Sequence, residues 1–167
     1  DAVAKTAGDV VKSWEQIKQT EKDGNKTVLG GVPNSLPSLI KAYRIQDKAR
    51  AVGFDWEKKE DVWEKVKEEM GEYQAELDAM AAAANDEEKA AAYDRAEDEL
   101  GDFLFATVNA ARLYGLNPDT ALERTCAKFR RRFTYLEEQT IRQGRNLTDM
   151  TLAEMDAIWD EGKAKGL

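Results

Sequence analysis

Residues 99–115 read ELGDFLFATVNAARLYG. Within this stretch, the run Phe103–Ala106 has no polar residue, so its side chains point in four directions around a helix axis. A helix that is apolar on all sides is buried on all sides. The stretch therefore predicts a central helix of an all-α protein, and Gly115 marks its end because glycine tolerates the left-handed conformation found there.

The segment before this stretch also carries helical signals. Asn85 followed by Glu88 is typical of a capping box, which predicts that the central helix runs from Asn85 to Tyr114. A second helix is predicted from about Asp61 to about Asn85, because apolar residues recur there at spacings of three and four. Those apolar residues are Val62, Val66, Met70, Tyr73, Leu77 and Met80.

Three further helices follow from local start and stop signals. Pro37 opens one that ends at Gly53, and Asn117-Pro118 begins another. Thr151 and Glu154 form a capping box for the last. The prediction is a helical bundle. Because its central helix has more apolar surface than one small bundle covers, we expect two bundles to pair in a homodimer.

Composition restricts the possible functions. With 167 residues, 42% of them hydrophobic, the chain can bury one substantial core, and no apolar run approaches the roughly 20 residues of a membrane span. A net charge of −8 disfavours nucleic acid as a main partner. The absence of histidine excludes Ser-His-Asp triads and histidine-rich zinc sites, which leaves carboxylates for metal or proton chemistry. A single cysteine and the lack of a secretory signal predict a cytoplasmic protein.

Two clusters of carboxylates stand out. The first, EEMGE, begins at Glu68, and the second consists of Glu99 and Asp102. At 100° per residue, Glu69 and Glu72 form the inward pair of the first cluster, whereas Glu68 points away. If the two helices pack antiparallel, the clusters meet and repel each other unless a divalent cation binds between them. Oxygen ligands without imidazole favour Mg²⁺, or else Mn²⁺.

Taken in order, these segments resemble the all-α nucleoside triphosphate pyrophosphohydrolases of the MazG type. The resemblance runs from about residue 30 to the C-terminus, and it rests on both acidic motifs, E-E-x-x-E and E-x-x-D. Three longer segments carry the rest, namely LPSLIKAYRIQDKARAVGFDW, ELGDFLFATVNAARLYGLNPDTALERTCAKFRRRFTYLEEQ and LAEMDAIWDEGK. It implies Mg²⁺-dependent hydrolysis of nucleoside triphosphates to the monophosphate and pyrophosphate, with the clearing of non-standard or excess nucleotides as the expected role.

The resemblance also implies roles for single residues. Glu68 would be the general base or a group supporting the metal ligands. In the segment KFRRRF, Lys128 and Arg132 lie four apart on one helix face and would hold the phosphates, although a solvated basic face has the same pattern. Trp159 would lie near the nucleotide, or pack in the core. The implied metal ligands are Glu69, Glu72, Glu99 and Asp102.

Two features depart from the family. Residues 81–98, AAAANDEEKAAAYDRAED, form a longer connection than is usual, which leaves the mouth of the site undefined. Residues 1–34 predict a helix over residues 2–21 followed by a glycine-rich linker, and they resemble the tether between the two halves of a tandem MazG protein. We therefore expect a MazG-like domain at residues 35–167, as the second half of a longer chain or as a processed chain.

Two rival interpretations belong to other classes. Each acidic cluster alone is typical of a solvated helix face, so the chain could be a non-catalytic dimerising helical module. The second cluster counts against this, because it borders the apolar run at Phe103–Ala106. A carboxylate-bridged di-iron bundle is the other rival, but such bundles use Glu-x-x-His pairs and this chain has no histidine.

Overall fold

The computed structural model describes Trp14 and residues 27–167, and this part of the chain contains helices and turns but no strand. The all-α prediction is confirmed. The helix predicted over residues 2–21 lies outside the described residues, apart from Trp14. Within residues 27–167 the α-helices are α1 (Ser38–Ala51), α2 (Val62–Ala81), α3 (Asp86–Leu113), α4 (Pro118–Arg142) and α5 (Leu152–Ala164).

The helices belong to two compact units. The first unit ends at Leu116 and contains α1, α2 and α3, and the second spans Asn117–Leu167 and contains α4 and α5. Short 3₁₀ helices precede α2 at Lys59–Asp61 and α5 at Leu147–Asp149. Among the described residues, none of the helices is both long enough and apolar enough to cross a membrane.

The start of α3 explains why α2 is shorter than predicted. Asn85 adopts an extended backbone and its side chain accepts a hydrogen bond from the Glu88 N–H at 2.9 Å. The Glu88 carboxylate in turn accepts from the Ala84 N–H at 2.9 Å, and not from Asn85 as in the predicted box. Because the chain must leave the helical conformation before it can cap α3, α2 ends at Ala81 and not near Asn85.

The other predicted starts and stops are confirmed. The Asn117 side chain accepts a hydrogen bond from the Thr120 N–H at 3.1 Å, and Thr151 with Glu154 forms a complete capping box. Gly115, just after α3, has a φ of 72°, which is the left-handed conformation that the sequence analysis assigned to it.

In the first unit, α2 and α3 pack along most of their length as an antiparallel hairpin, while α1 packs on α3. Small and β-branched residues dominate the buried surface, which allows the helix backbones to approach closely. The Gln46 side chain on α1 is also buried, and its Nε2 donates to the Phe105 carbonyl oxygen at 2.8 Å. The buried apolar residues of the three elements are Val62, Ala92, Ala96, Ala106, Val108 and Ala110.

The prediction that α3 is buried on all sides is wrong for the single chain. Leu104 keeps 52% and Phe105 43% of its surface exposed, whereas Ala106 beside them is buried. The reason is geometric: α1 and α2 cover only part of the circumference of α3. An apolar surface on α3 therefore faces solvent.

The second unit is a pair of helices with a small core. Leu136 of α4, Met150 before α5 and Ile158 of α5 form this core. The apolar side chains of α4 are buried only towards its C-terminal end: Leu136 is buried, whereas Leu122 and Phe129 remain more than half exposed.

Candidate active site

The α2–α3 hairpin brings carboxylates from both acidic clusters together. The turn lies near Ala84, so residues fifteen positions before and after it, Glu69 and Glu99, lie opposite each other. Glu69, Glu99 and Asp102 each place one carboxylate oxygen within 4.8 Å of the others. Glu69 is buried, Glu99 is partly buried and Asp102 is exposed, so the cluster is closed on one side and open to solvent at Asp102.

The buried oxygens of this cluster lack hydrogen-bond donors. Glu69 Oε2 and Glu99 Oε2 are both inaccessible to solvent, and neither has a partner within the part of the chain that the structure describes. A buried, unpaired carboxylate oxygen is costly unless a donor or a cation meets it. Three carboxylates with free oxygens at one point are a suitable ligand set for a hard divalent cation such as Mg²⁺.

Lys65 lies next to the cluster and was missed by the sequence analysis. Its Nζ is 2.8 Å from Glu69 Oε1 and 3.6 Å from Glu68 Oε2, and the hydrogen bond to Glu69 raises the pKa of Lys65. The ammonium thus neutralises one oxygen of Glu69 and leaves Oε2 for another cation. The spacing of four residues between Lys65 and Glu69 was the signal that could have revealed this pair.

The other two acids of the first cluster are exposed. Glu72 was predicted to face inward with Glu69. That prediction is wrong, because the Glu72 side chain is exposed and does not belong to the cluster of Glu69, Glu99 and Asp102. The nearby charge of Glu69, followed by a hydrogen bond to it, raises the pKa of Glu72, so the two carboxylates are close neighbours. Glu68 points into solvent, as predicted.

The basic residues and the late tryptophan lie in the second unit. Lys128 is exposed, and Arg132 is partly buried with its Nε donating to the Leu167 carbonyl oxygen at 2.7 Å. The ring of Trp159 lies against Phe129 of α4, with the ring centroids 5.0 Å apart. Trp159 is thereby brought onto the helix that carries Lys128 and Arg132. It is only partly buried, and Phe129 is 56% exposed, so this contact lies outside the small core of the second unit.

A cavity of about 460 Å³ lies in the first unit. Its walls are mainly apolar and aromatic, and four polar side chains line it as well. Two of these form an ion pair: Arg112 donates to both carboxylate oxygens of Asp55, at 2.6 and 3.2 Å. The hydrogen bond from Arg112 holds the pKa of Asp55 below its ordinary value of 3.8. The sequence analysis missed this cavity because its residues are far apart in sequence.

Asp55→Asn is expected to lower the free energy of unfolding by about 2 kcal/mol, because it leaves the buried Arg112 guanidinium without its counter-ion. The lowered pKa of Asp55 means that the ion pair stabilises the protein above about pH 4 and that this stabilisation is lost as the pH falls below 3.8. Urea unfolding at pH 7 and pH 3 measures both effects.

Asp47→Asn is the matched control, since Asp47 pairs with Arg50 where both side chains are about half exposed. Its effect should stay within about 0.5 kcal/mol. Equal unfolding free energies for the two variants at pH 7 would contradict a stabilising role for the Asp55–Arg112 pair.

Comparison with known proteins shows which family this sequence is similar to. Residues 57–136 match the family model of the MazG nucleotide pyrophosphohydrolase domain, a span that contains both acidic clusters as well as Lys128 and Arg132. The chain is 36% identical over 165 residues to the nucleoside triphosphate pyrophosphohydrolase of Escherichia coli K12, with 98% of this chain and 59% of that protein covered.

Two further relatives extend the comparison. The nucleoside triphosphate pyrophosphohydrolase/pyrophosphatase MazG of Thermotoga maritima is 36% identical over 156 residues, which are 93% of this chain and 55% of that protein. The uncharacterized protein YabN of Bacillus subtilis is 44% identical over 164 residues, which are 98% of this chain and 32% of that protein. The chain thus spans little more than half of the two named pyrophosphohydrolases. Residues 57–136 of this chain are therefore similar to the MazG nucleotide pyrophosphohydrolase domain.

Proposed function

We propose that this chain hydrolyses nucleoside triphosphates to the nucleoside monophosphate and pyrophosphate with the help of Mg²⁺, with Mn²⁺ as the alternative ion. The observation that carries the proposal is the convergence of Glu69, Glu99 and Asp102 within 4.8 Å, with buried oxygens of the two glutamates unpaired in the described structure. Relatives named as nucleoside triphosphate pyrophosphohydrolases support the same reaction.

The carboxylates would hold the cation. Glu69, Glu99 and Asp102 supply three oxygens, and Glu72 is proposed as a fourth ligand because its raised pKa reflects the charge of its neighbour Glu69. A cation held there would supply positive charge that attracts phosphate oxygens and makes nearby water more acidic. The repulsion among these acids favours cation binding over an empty site.

Side chains of this protein would accept the proton from water and bind the substrate. Water attacks the α-phosphorus, the bond from this phosphorus to the bridging oxygen breaks, and pyrophosphate leaves. We assign the role of general base to Glu68. Its exposed carboxylate lies 3.6 Å from the Lys65 ammonium that also contacts Glu69, and it can release the proton to solvent. Lys128 and Arg132 bind phosphate oxygens, and Trp159 contacts the nucleotide.

The rival function is a non-catalytic helical module. A panel of nucleoside triphosphates, both ordinary and chemically damaged, separates the two functions when pyrophosphate release is measured with Mg²⁺ present. Release from at least one triphosphate is expected. A folded protein that releases no pyrophosphate from any member of the panel would favour the non-catalytic module. We place the reaction in the cytoplasm, in the clearing of non-standard or excess nucleotides.

Lys128→Ala is expected to raise KM roughly tenfold to a hundredfold with little change in kcat, because the ammonium would bind phosphate oxygens in the ground state as well as in the transition state. Steady-state kinetics of pyrophosphate release measures both constants. Lys89→Ala removes the same charge at the exposed start of α3 and should leave KM unchanged. An unchanged KM in Lys128→Ala would remove this residue from the proposed site.

The homodimer remains a proposal, supported by the exposed Leu104 and Phe105 on α3. Light scattering should give about twice the chain mass of 18.8 kDa, and Leu104→Glu should reduce it to the monomer because a buried carboxylate would disrupt an apolar interface. Leu152→Glu, at a residue that is 70% exposed, is the control and should stay dimeric. A monomeric wild type that is still active would overturn this proposal.

A further inference from the structure

Gly162 allows α5 to pack directly against the ring of Tyr135 on α4. A methyl group built on Gly162 would lie 3.0 Å from Tyr135 Cδ1 and 3.7 Å from both Cγ and Cε1. Carbon atoms in favourable contact are ~3.5–4.0 Å apart, so a side chain at this position would press on the ring. Gly162 is buried inside α5, where glycine is a weaker helix former than alanine. The glycine therefore serves the packing of α5 on α4 and not the helix itself.

The hydroxyl group of Tyr135 holds this ring in place along α5. It donates to Glu161 Oε1 at 2.6 Å and accepts from Lys165 Nζ at 2.9 Å. Glu161 and Lys165 are four residues apart on α5, and their Oε1 and Nζ atoms are 3.3 Å apart. The ring also packs against the small core of the second unit. Because both hydrogen-bond partners lie on α5, the ring cannot move away from Gly162 without breaking these bonds.

Trp159 lies one turn of α5 away from this contact. It precedes Gly162 by three residues, which places it on a neighbouring part of the same helix face, ~4.5 Å along the axis. The Trp159 ring packs on Phe129 with 5.0 Å between centroids, and Phe129 stacks on Phe133 with 6.0 Å between centroids. These rings lie outside the core of the second unit. Their arrangement therefore depends on how α5 lies along α4.

We propose that Gly162 and Tyr135 are positioning residues that set the register of α5 on α4 and thereby hold the Trp159 ring against Phe129. Apolar contact at Ile158 holds the two helices together, but such contact is non-directional. The ring over Gly162, with its hydroxyl group bound at two points, fixes one position along the helix. The consequence for the nucleotide rests on the proposed function, in which Trp159 contacts it; the helix register does not.

Gly162→Ala tests the register without any substrate. The chain has four tryptophans, and a spectrum of Trp159→Phe identifies the Trp159 indole N–H among them by ¹H–¹⁵N NMR. Gly162→Ala should move this signal, because the added methyl group displaces α5 by roughly half an ångström. It should also lower the melting temperature by roughly 3–8 °C, although alanine is the better helix former. An unmoved Trp159 signal would overturn the inference.

The matched control is the same substitution in the Tyr135→Ala background, which lacks the ring that the added methyl group would meet. There, Gly162→Ala should leave the Trp159 signal where Tyr135→Ala alone places it. It should now raise the melting temperature, as alanine does in an open helix position. Equal effects of Gly162→Ala with and without the Tyr135 ring would contradict the proposed contact.

A second measurement decides if Gly162→Ala does not fold. In the wild type, nuclear Overhauser cross-peaks should join the Gly162 α-protons to the Tyr135 ring protons, as the short distances require. Tyr135→Phe removes only the hydroxyl group and its two hydrogen bonds, and it should also move the Trp159 signal. Missing cross-peaks, or a Trp159 signal unchanged in Tyr135→Phe, would overturn the inference.

Steady-state kinetics tests the consequence for the nucleotide. Gly162→Ala should raise KM for the nucleoside triphosphate by about threefold to tenfold with little change in kcat, because a displaced Trp159 ring weakens binding in the ground state and the transition state alike. In the Tyr135→Ala background it should leave KM unchanged. A moved Trp159 signal with an unchanged KM would overturn the positioning role. A wild type that releases no pyrophosphate would instead refute the proposed function, and the NMR comparison then decides the register.

Discussion

Asp102→Asn is expected to reduce pyrophosphate release by roughly two to three orders of magnitude, the scale of losing one preorganised electrostatic group in an active site. Asp102 is the exposed member of the acidic cluster, so its replacement by asparagine removes a negative charge without opening the core. Asparagine has nearly the same shape and still offers one oxygen. The loss would therefore report the missing charge and not a disturbed fold, and circular dichroism should be unchanged.

Glu97→Gln is the matched control for Asp102→Asn. Glu97 is an exposed carboxylate on the same helix, α3, and lies outside the three-residue cluster. Its neutralisation changes the net charge of the protein by the same amount, and we expect wild-type turnover. If Asp102→Asn also kept near wild-type turnover, the cluster could not be the place where the reaction occurs.

Mg²⁺ is expected to raise the melting temperature by roughly 5–10 °C at a concentration 100 times its Kd, since a ligand of the native state then adds about 2.7 kcal/mol to its stability. The physical reason is that Glu69 Oε2 and Glu99 Oε2 are unpaired oxygens in the described structure, and the cation would meet them. Thermal unfolding with and without Mg²⁺, at constant ionic strength, measures this effect.

Two comparisons make the melting experiment specific. Asp102→Asn should lose most of the shift because one ligand charge is missing. The shift in the wild type should also shrink as the pH falls into the acidic range, since Glu72, with its raised pKa, takes up protons that compete with the cation. A shift of equal size in Asp102→Asn would mean that the cation binds elsewhere.

Local signals in the sequence were sufficient for most of the helix boundaries. Asn117, Thr151 and Gly115 act through hydrogen bonds or backbone conformations within a few residues, so their roles can be predicted without the tertiary structure. The end of α2 was misplaced because alanine-rich sequence at residues 81–84 has high helix propensity and does not itself mark a stop. The cap at Asn85 overrides that propensity.

The acidic cluster was predictable in part. A spacing of three residues places Glu99 and Asp102 on one face, and an antiparallel hairpin was enough to bring Glu69 to them. The exposure of Glu72 depends on how far the two helices are rotated about their axes, which spacing alone does not fix. The metal ligand set, Glu72 included, therefore stays a prediction.

Contacts between residues far apart in the sequence could not be predicted from sequence patterns. Gln46 meets the Phe105 carbonyl across 59 residues, and Asp55 meets Arg112 across 57. All four residues lie in segments that carry the family resemblance, but a resemblance between segments does not show which side chains meet. The exposure of Leu104 was not predictable either, because an apolar pattern on a helix does not show whether the same chain or a second copy covers that helix.

Product analysis in ¹⁸O-labelled water tests the central claim most directly. The purified chain is incubated with Mg²⁺ and its best nucleoside triphosphate substrate, and the products are separated and weighed by mass spectrometry. The account predicts nucleoside monophosphate that carries one ¹⁸O atom, together with unlabelled pyrophosphate, because water attacks the α-phosphorus. Nucleoside diphosphate with labelled orthophosphate, or label in the pyrophosphate, would contradict it.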